Sequence, residues 1–313
     1  MTKILITGGG GYIGSVLCEY LLKDSKLEVT VVDNFIYNQS SLNHLCHYSN
    51  FKTIKADVRN YDYYQDEVKK SDIIIPLAAL VGAPICNFDQ IGSDTINFDA
   101  PLKLFKKSSK DQMIIMPTTN SAYGTSRVGS VLDEDSPLNP ISRYAIKKVE
   151  LESNLMDRSN SISLRLATVF GVSPRMRTDL LVNDFTYRAI NDGFLVIFEG
   201  HFIRNYIHVR DVARLFKNIV SNPKNYSNEI FNVGLSDANI SKSDLALKIK
   251  KYIPSLVIHE NDFQSDPDQR NYMVSNKKLE NTGFKTKYSL DFGIKELIKG
   301  YVMMRNRKFN NLL

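Results

Sequence analysis

The chain has 313 residues, 43% hydrophobic and 24% charged, an ordinary balance for a globular protein of one large or two modest domains. Forty Lys and Arg against thirty-four Asp and Glu leave a net charge of +6. That excess suits anionic ligands and is too diffuse to demand a nucleic-acid surface.

The opening MTKILITGGGG has no signal-peptide pattern, so the expected location is cytoplasmic. Lys3–Thr7 predicts a buried strand and Tyr12–Lys23 a helix. Between them Thr7–Gly14 reads TGGGGYIG, with Gly8, Gly11 and Gly14 spaced GxxGxxG. In that context the glycines give a tight turn, close approach to a pyrophosphate and close helix–strand packing, and the helix N-terminus faces the phosphates. Glu28–Val32 predicts the second strand. Asp33 follows it, nineteen positions after Gly14, where a carboxylate accepts from ribose hydroxyls and repels a 2′-phosphate; NAD is expected over NADP.

Phe51–Lys55 and Asp72–Pro76 predict two more strands. Asp57, after the first of these, fits either an adenine contact or a simple turn. The longest apolar stretch, Ile73–Ile85, is too short to cross a membrane and contains Pro76 and Pro84. Then come a helix near Thr95–Lys107, a strand at Gln112–Pro117, a loop at Asp133–Pro140, a helix at Arg143–Arg158 and a strand at Ser161–Leu166. Apolar strands alternating with helices predict a parallel α/β sheet covered on both faces. Further on, Thr178–Asp192, Val209–Val220 and Ser241–Tyr252 predict helices, the last with a Ser cap, and Ile230–Val233 a strand. The basic tail Arg305–Leu313 shows little pattern. Three cysteines without CxxC spacing and five scattered histidines argue against a disulfide framework or a metal site.

Tyr144 and Lys148 lie four apart in YAIKK, on one face of a predicted helix. A phenol ionises near pH 10, about three units above neutrality. A neighbouring ammonium and an oxidised nicotinamide favour its phenolate, which can take a proton from a substrate hydroxyl.

The order TGGGGYIG, Asp33-Asn34, LAA at Leu77–Ala79, TTNSAYG, YAIKK, RNYIHVRDVA and FNVG resembles extended short-chain dehydrogenases/reductases of the nucleotide-sugar epimerase/dehydratase group, from Lys3 to about Lys299. The resemblance implies a doubly wound Rossmann sheet (residues 1–167 and about 203–235) with a smaller C-terminal α/β substrate lobe (about 168–202 and 236–313). It implies Tyr144 as base, Lys148 as nicotinamide-ribose ligand and Thr119 as a hydroxyl bonded to the reacting sugar oxygen. Cofactor contacts are expected from Gly8, Gly11, Tyr12, Ile13, Gly14, Asp33, Asn34, Asp57, Val58, Leu77, Ala78, Ala79 and Asn97. Substrate contacts are expected from Gly82, Asn120, Ser121, Asn183, Arg204 and Arg270. Arg175 and Arg177 fit either a diphosphate or surface ion pairs. Gly82 stands where relatives carry a bulkier residue, which would make room for a larger sugar. A homodimer through the helices near Thr95–Lys107 and Arg143–Arg158 is expected, with no nucleic-acid or membrane partner.

Dehydratases of this group carry an Asp-Glu pair where this chain has Asn120 and Ser121, which cannot serve as acid and base near neutrality. A 4,6-dehydratase is therefore disfavoured. Thr168 replaces an Asn common in relatives, which puts that substrate contact in doubt. LAALVGAPIC, PTTNSAYG and SPRMRTDLLVND resemble a subgroup oxidising C4 of GDP-heptoses for surface polysaccharide, so GDP-D-glycero-D-manno-heptose is the expected substrate. A 4-epimerase is the alternative. A catalytically silent NAD-binding protein fits less well, because Tyr144 and Lys148 are both retained.

Overall fold

The computed structural model describes residues 1–37, 40–127, 129–261 and 270–304; the tail Arg305–Leu313 lies outside them. Strand β1 (Thr2–Thr7) leads into helix α1 (Tyr12–Leu22), followed by β2 (Leu27–Asp33), β3 (Phe51–Lys55), the short α2 (Gln65–Lys70) and β4 (Ile73–Pro76). Helices α3 (Ala83–Phe88), α4 (Gln90–Asp94) and α5 (Ala100–Lys107) come next, then β5 (Met113–Thr119), β6 (Val131–Leu132), α6 (Arg143–Met156) and β7 (Ser161–Leu166). The chain continues through β8 (Thr168–Phe170), α7 (Leu181–Asn191), β9 (Phe194–Phe198), β10 (Ile203–His208), α8 (Val209–Ser221) and β11 (Glu229–Val233). It ends with β12 (Asn239–Ser241), α9 (Lys242–Lys250), β13 (Val257–Asn261), β14 (Met273–Val274), α10 (Lys277–Asn281) and α11 (Leu290–Met303).

Seven strands form one sheet in the order β3-β2-β1-β4-β5-β7-β11, every pair parallel. The winding reverses between β1 and β4, which opens a crevice at their C-terminal ends, where open parallel sheets bind ligands. Alternate side chains serve opposite faces. Ile4 and Ile6 join the larger apolar cluster and Leu5 the smaller one; Ile73 and Ile75 against Ile74, and Met113 and Ile115 against Ile114, repeat the division. Each such side chain contributes about 1.5–3 kcal/mol of burial. Helices cover both faces, so the strands read as unbroken apolar runs. Three small sheets, β12-β10-β8, β13-β9 and β14-β6, come from the remaining strands.

The predicted strands of the main sheet are found, Phe51–Lys55 and Ser161–Leu166 unchanged and the others with ends moved by one or two residues. The helix expected at Thr95–Lys107 is different: α4 runs into a π-helical turn, Thr95–Asp99, before α5. Pro101 has no N–H to close onto the Asn97 carbonyl four residues back, and the helix widens there. The helix expected from Thr178 starts at Leu181, since Leu180 is still extended. Ser241 does cap α9, accepting from Asp244 N at 3.0 Å. Among the described residues no helix is long and apolar enough to cross a membrane, and no cluster of His, Cys, Asp and Glu could hold a metal ion.

Candidate active site

The crevice begins at Gly8. Its φ is +74°, and a Cβ there would lie 2.4 Å from Ala78 N, because the Leu77-Ala78-Ala79 segment after β4 crosses directly over it; glycine alone fits. Leu77 N donates to Thr7 O at 2.8 Å and holds that crossing. Gly11 caps α1 without a side-chain hydrogen bond, and the first turn carries no acidic residue. Its free N–H groups and positive dipole end are open to an anion. A Cβ at Gly11 would meet only the Gly8 carbonyl within 4 Å, so the cradle's mouth is clear. These residues fit a dinucleotide pyrophosphate.

Gly14 packs inward against Gly8 and Gly9, and Ile13 against the larger apolar cluster. The Tyr12 side chain corrects the sequence expectation. Its hydroxyl donates to Gly171 O at 2.7 Å and accepts from Asn183 Nδ2 at 3.2 Å, so it is engaged by the 171–183 segment. What Tyr12 offers an anion is its backbone N–H.

Asp33 ends β2. Its Oδ2 accepts from Gly10 N at 2.9 Å and its Oδ1 from Phe35 N at 2.7 Å. Burial pushes its pKa up, opposed by those N–H bonds and by the charge of Arg175. Asn34 accepts from Ile36 N at 3.1 Å, a turn bond. Asp57 forks onto Arg59 (2.9 and 2.6 Å) and accepts Arg59 N at 2.9 Å; the Arg59 hydrogen bond holds its carboxyl below the usual range. Its carboxylate is thus engaged in the turn, the simpler of its two readings. Val58 packs on the smaller apolar cluster.

Arg175 is placed differently from the sequence expectation. It is 2% exposed, and its guanidinium lies 3.8 Å from the centre of the Tyr37 ring, against the loop after β2. Burial, helped by the like charge of Arg177, pushes it down to about 10. Ser173 Oγ donates to Tyr12 O at 2.7 Å and lies 3.0 Å from Ser15 Oγ. Residues 171–175 are therefore tied across the N-terminus of α1. Asn183 is a second correction. Its Oδ1 accepts from Gly171 N at 3.0 Å and its Nδ2 donates to Arg177 O at 2.8 Å, besides Tyr12. Both polar atoms of the amide support this segment, and both Nδ2 hydrogens are used in doing so.

The other end of the crevice is formed by α6 and the end of β5. Ser142 caps α6, accepting from Ala145 N at 3.2 Å, and Arg143 forks onto Asp94 of α4. This sets Tyr144 and Lys148 one turn apart, with Lys148 Nζ 6.0 Å from the phenol ring centre. Lys148 is 4% exposed. Burial pushes it down to about 8 and pushes the Tyr144 phenol up to about 12, the latter opposed by Arg177 and Arg270. Thr119 Oγ1 accepts from Ser121 N at 3.0 Å and donates to Ser121 Oγ at 2.9 Å; Arg270 donates to that same Ser121 oxygen. Arg270, one of the expected substrate contacts, is set on Ser121, the partner of Thr119, and within electrostatic reach of Tyr144. Asn120 is fully buried, and among the described residues neither its Oδ1 nor its Nδ2 has a hydrogen-bond partner. An unmatched buried amide is costly unless a ligand completes it.

Asn97 is a third correction. On the π-helical turn, its Oδ1 accepts from Leu80 N and its Nδ2 donates to Leu80 O, both at 2.8 Å. Its amide is engaged within the protein, clamping Leu80 and also reaching Ser93 Oγ. Gly82 has φ +114°, so its backbone calls for glycine whatever the size of the sugar. Arg177 forks onto Asp179 (3.1 and 2.6 Å), the ion-pair alternative, while its charge still reaches Tyr144. Arg204 is buried, with Nη1 donating to Ile203 O at 3.1 Å, between the Phe202 and Tyr272 rings.

Sequence reasoning missed Cys86, Tyr37 and Ser173. Cys86 is buried beside Asn97, its Sγ donating to Leu80 O at 3.3 Å and close enough to raise the Tyr144 pKa. None of the three stands in a spacing that sequence could pair with its partner.

A family model described as "NAD dependent epimerase/dehydratase family" matches residues 4–234. The chain is 26% identical to a putative UDP-glucose 4-epimerase of Methanocaldococcus jannaschii, over 94% of this chain and 97% of that one. It is 25% identical to UDP-glucuronic acid decarboxylase 1 of Danio rerio, over 99% and 75%. The crystal structure of UDP-glucuronic acid 4-epimerase from Bacillus cereus, with UDP-glucuronic acid and NAD, superposes with a TM-score of 0.84 at 25% identity, covering 97% of this chain and all of that one. Pal from Bacillus thuringiensis superposes with a TM-score of 0.86 at 20% identity, over 97% and 100%, a likeness of fold.

Proposed function

The chain belongs to the NAD dependent epimerase/dehydratase family, and from that premise we propose that it oxidises the C4 hydroxyl of a nucleoside-diphosphate sugar to a 4-ketone. It is an NAD-dependent enzyme of the nucleotide-sugar type. The observation that carries the proposal is Lys148 one turn from Tyr144, with Arg270, which bonds the Ser121 partner of Thr119, within electrostatic reach of the phenol, and with Asn120 and Ser121 in place of the carboxyl pair that water elimination needs.

NAD, when bound in the Gly8–Gly14 cradle, supplies the hydride acceptor. The protein's part is proton handling and orientation. Tyr144 takes the proton of the sugar hydroxyl as the C4–H bond breaks, and Lys148 favours the phenolate that this requires. Thr119 holds the sugar oxygen. Asn120 lends its unmatched amide to neighbouring sugar hydroxyls. Arg177, Arg204 and Arg270 supply positive charge for the diphosphate and the sugar. The preferred substrate in this proposal is GDP-D-glycero-D-manno-heptose, in surface-polysaccharide synthesis. We place the enzyme in the cytoplasm as a homodimer, since Phe88 and Ile91 are among the most exposed large apolar side chains and Ile146 on α6 is also exposed. A lobe from residues 168–202 and 236–313 would carry the sugar nucleotide.

The second reading is a 4-epimerase, in which the ketone is reduced on its other face before leaving. Residues 171–175, tied across α1, favour a cofactor retained long enough for that. The test is a panel of GDP-, UDP-, dTDP- and CDP-sugars with products followed by NMR. A 4-ketone supports the proposal and an inverted C4 supports the second reading. A 4-keto-6-deoxy product, or no turnover, overturns both.

A further inference from the structure

Glu152 lies on α6 one turn beyond Lys148 and two beyond Tyr144, so the three share a face. Its carboxylate is buried and heavily committed. Oε2 accepts from Thr118 Oγ1 at 2.9 Å and Ser163 Oγ at 2.5 Å, and Oε1 from Arg165 Nε at 3.0 Å and Nη2 at 2.7 Å. Thr118 directly precedes Thr119 on β5; Ser163 and Arg165 stand on β7, paired beside it. Arg165 Nη1 donates onward to Tyr123 Oη at 3.0 Å and Glu134 O at 3.1 Å. Tyr123 ends the short helical turn that carries Asn120 and Ser121, and its Oη lies 2.8 Å from Asn232 Oδ1 on β11. One carboxylate thus connects the helix of Tyr144 and Lys148 to the strand of Thr119, and through Arg165 to the turn of Asn120 and Ser121.

Burying an ion pair is expensive, and a well-packed apolar pair in its place is often as stable or more so. Stability is therefore a weak reason for these two charges. Leu151 and Leu155 already seat α6 on the smaller apolar cluster, but apolar contact is non-directional and leaves a helix free to slide or roll by fractions of an ångström. Charge-assisted bonds to two strands are directional and remove that freedom. We propose that the Glu152–Arg165 pair is a positioning element that fixes α6 against β5, and thereby sets the Tyr144 oxygen relative to Thr119. The inference rests on the proposed roles of Tyr144 and Thr119.

The test is the double variant Glu152→Met/Arg165→Met, with Thr118→Val, which deletes the Thr118 bonds to Glu152 and Ser163 and leaves the charges in place. Both are assayed on the sugar nucleotide that the unmodified enzyme turns over. The expected result is a folded double variant with kcat lowered about 10- to 100-fold and KM within about threefold, because a small misplacement is felt in the transition state more than in binding. Thr118→Val is expected to lose less, in kcat alone. A folded double variant with unchanged kcat, or a loss confined to KM, overturns the inference. If the double variant fails to fold, Thr118→Val decides by the same criterion.

A second readout needs no sugar. Tyr144 ionisation is followed as phenolate absorbance in NAD-loaded protein, by difference from Tyr144→Phe. Substitution at position 118 is expected to move it, and an unmoved titration counts against positioning. Absence of turnover by the unmodified enzyme defeats the proposed function, while this titration still decides the inference.

Discussion

Lys148 holds its ammonium nitrogen 6.0 Å from the centre of the Tyr144 ring, one helical turn away. Burial drives the two groups apart on the pH scale, the phenol up to about 12 and the ammonium down to about 8. The cofactor-free pocket therefore disfavours both charged forms. It becomes a base when something positive enters, and the oxidised nicotinamide is positive.

Tyr144→Phe removes the proton acceptor and keeps the ring. Turnover on the active sugar nucleotide should fall by roughly 10²–10⁴-fold, the usual range for general-base catalysis. NAD should remain bound, since the cradle at Gly8–Gly14 is untouched. Steady-state rates and cofactor content of the purified variant check both halves.

Lys148 also makes a stability prediction. Below about pH 8 both folded and unfolded chains hold its proton, and the folded state bears the full cost of the buried charge. Between about 8 and 10.5 the unfolded chain keeps the proton that the folded one has released, so stability rises with pH across that window. Lys148→Met should therefore stabilise the cofactor-free protein at pH 7, by up to about 3 kcal/mol, and should flatten the rise. Urea unfolding at a series of pH values measures it.

Asp33 ends β2 with a carboxylate fixed by Gly10 N and Phe35 N, and under the proposal it meets the adenosine ribose. NADP should bind at least about 100-fold more weakly than NAD, since a like-charged phosphate in a partly buried site costs a few kcal/mol. Calorimetry with the two cofactors tests this, and equal affinities would refute it.

Arg175 and Tyr37 join residues 171–175 to the loop after β2. Arg175→Ala should speed NADH release by about tenfold, the worth of a desolvated cation–π contact. Lysine should restore little of it, lacking the planar face. Stopped-flow fluorescence of NADH displacement gives the rate.

Asn183 bonds to Gly171, Arg177 and Tyr12 at once. Asn183→Ala should cost about 1–3 kcal/mol in unfolding free energy by stranding buried partners. A pure rise in substrate KM with stability unchanged would return it to the sugar site.

Much of this was readable in sequence wherever the signal is local. β1, the glycine turn, α1 and Asp33 are contiguous or a fixed stride apart, so spacing alone implies the cradle. Tyr144 and Lys148 share a face because a helix has 3.6 residues per turn. The two- to six-residue strands of the small sheets and the π-helical turn at Asn97 were not readable, since their stretches are too short to show a period.

The sequence by itself determined which residue types were available: a bare glycine cradle, one carboxylate for a ribose, a phenol and an ammonium four apart, and no carboxyl pair at positions 120 and 121. Tertiary structure decided how they are spent. Tyr12, Asn97 and Asn183 turned from ligand candidates into braces, Arg175 onto Tyr37, and Arg270 to Ser121 across 149 residues of chain. The physical reason is that a buried polar group must find a partner, and which partner lies within about 3 Å is set by packing between distant segments, which no spacing in one sequence encodes.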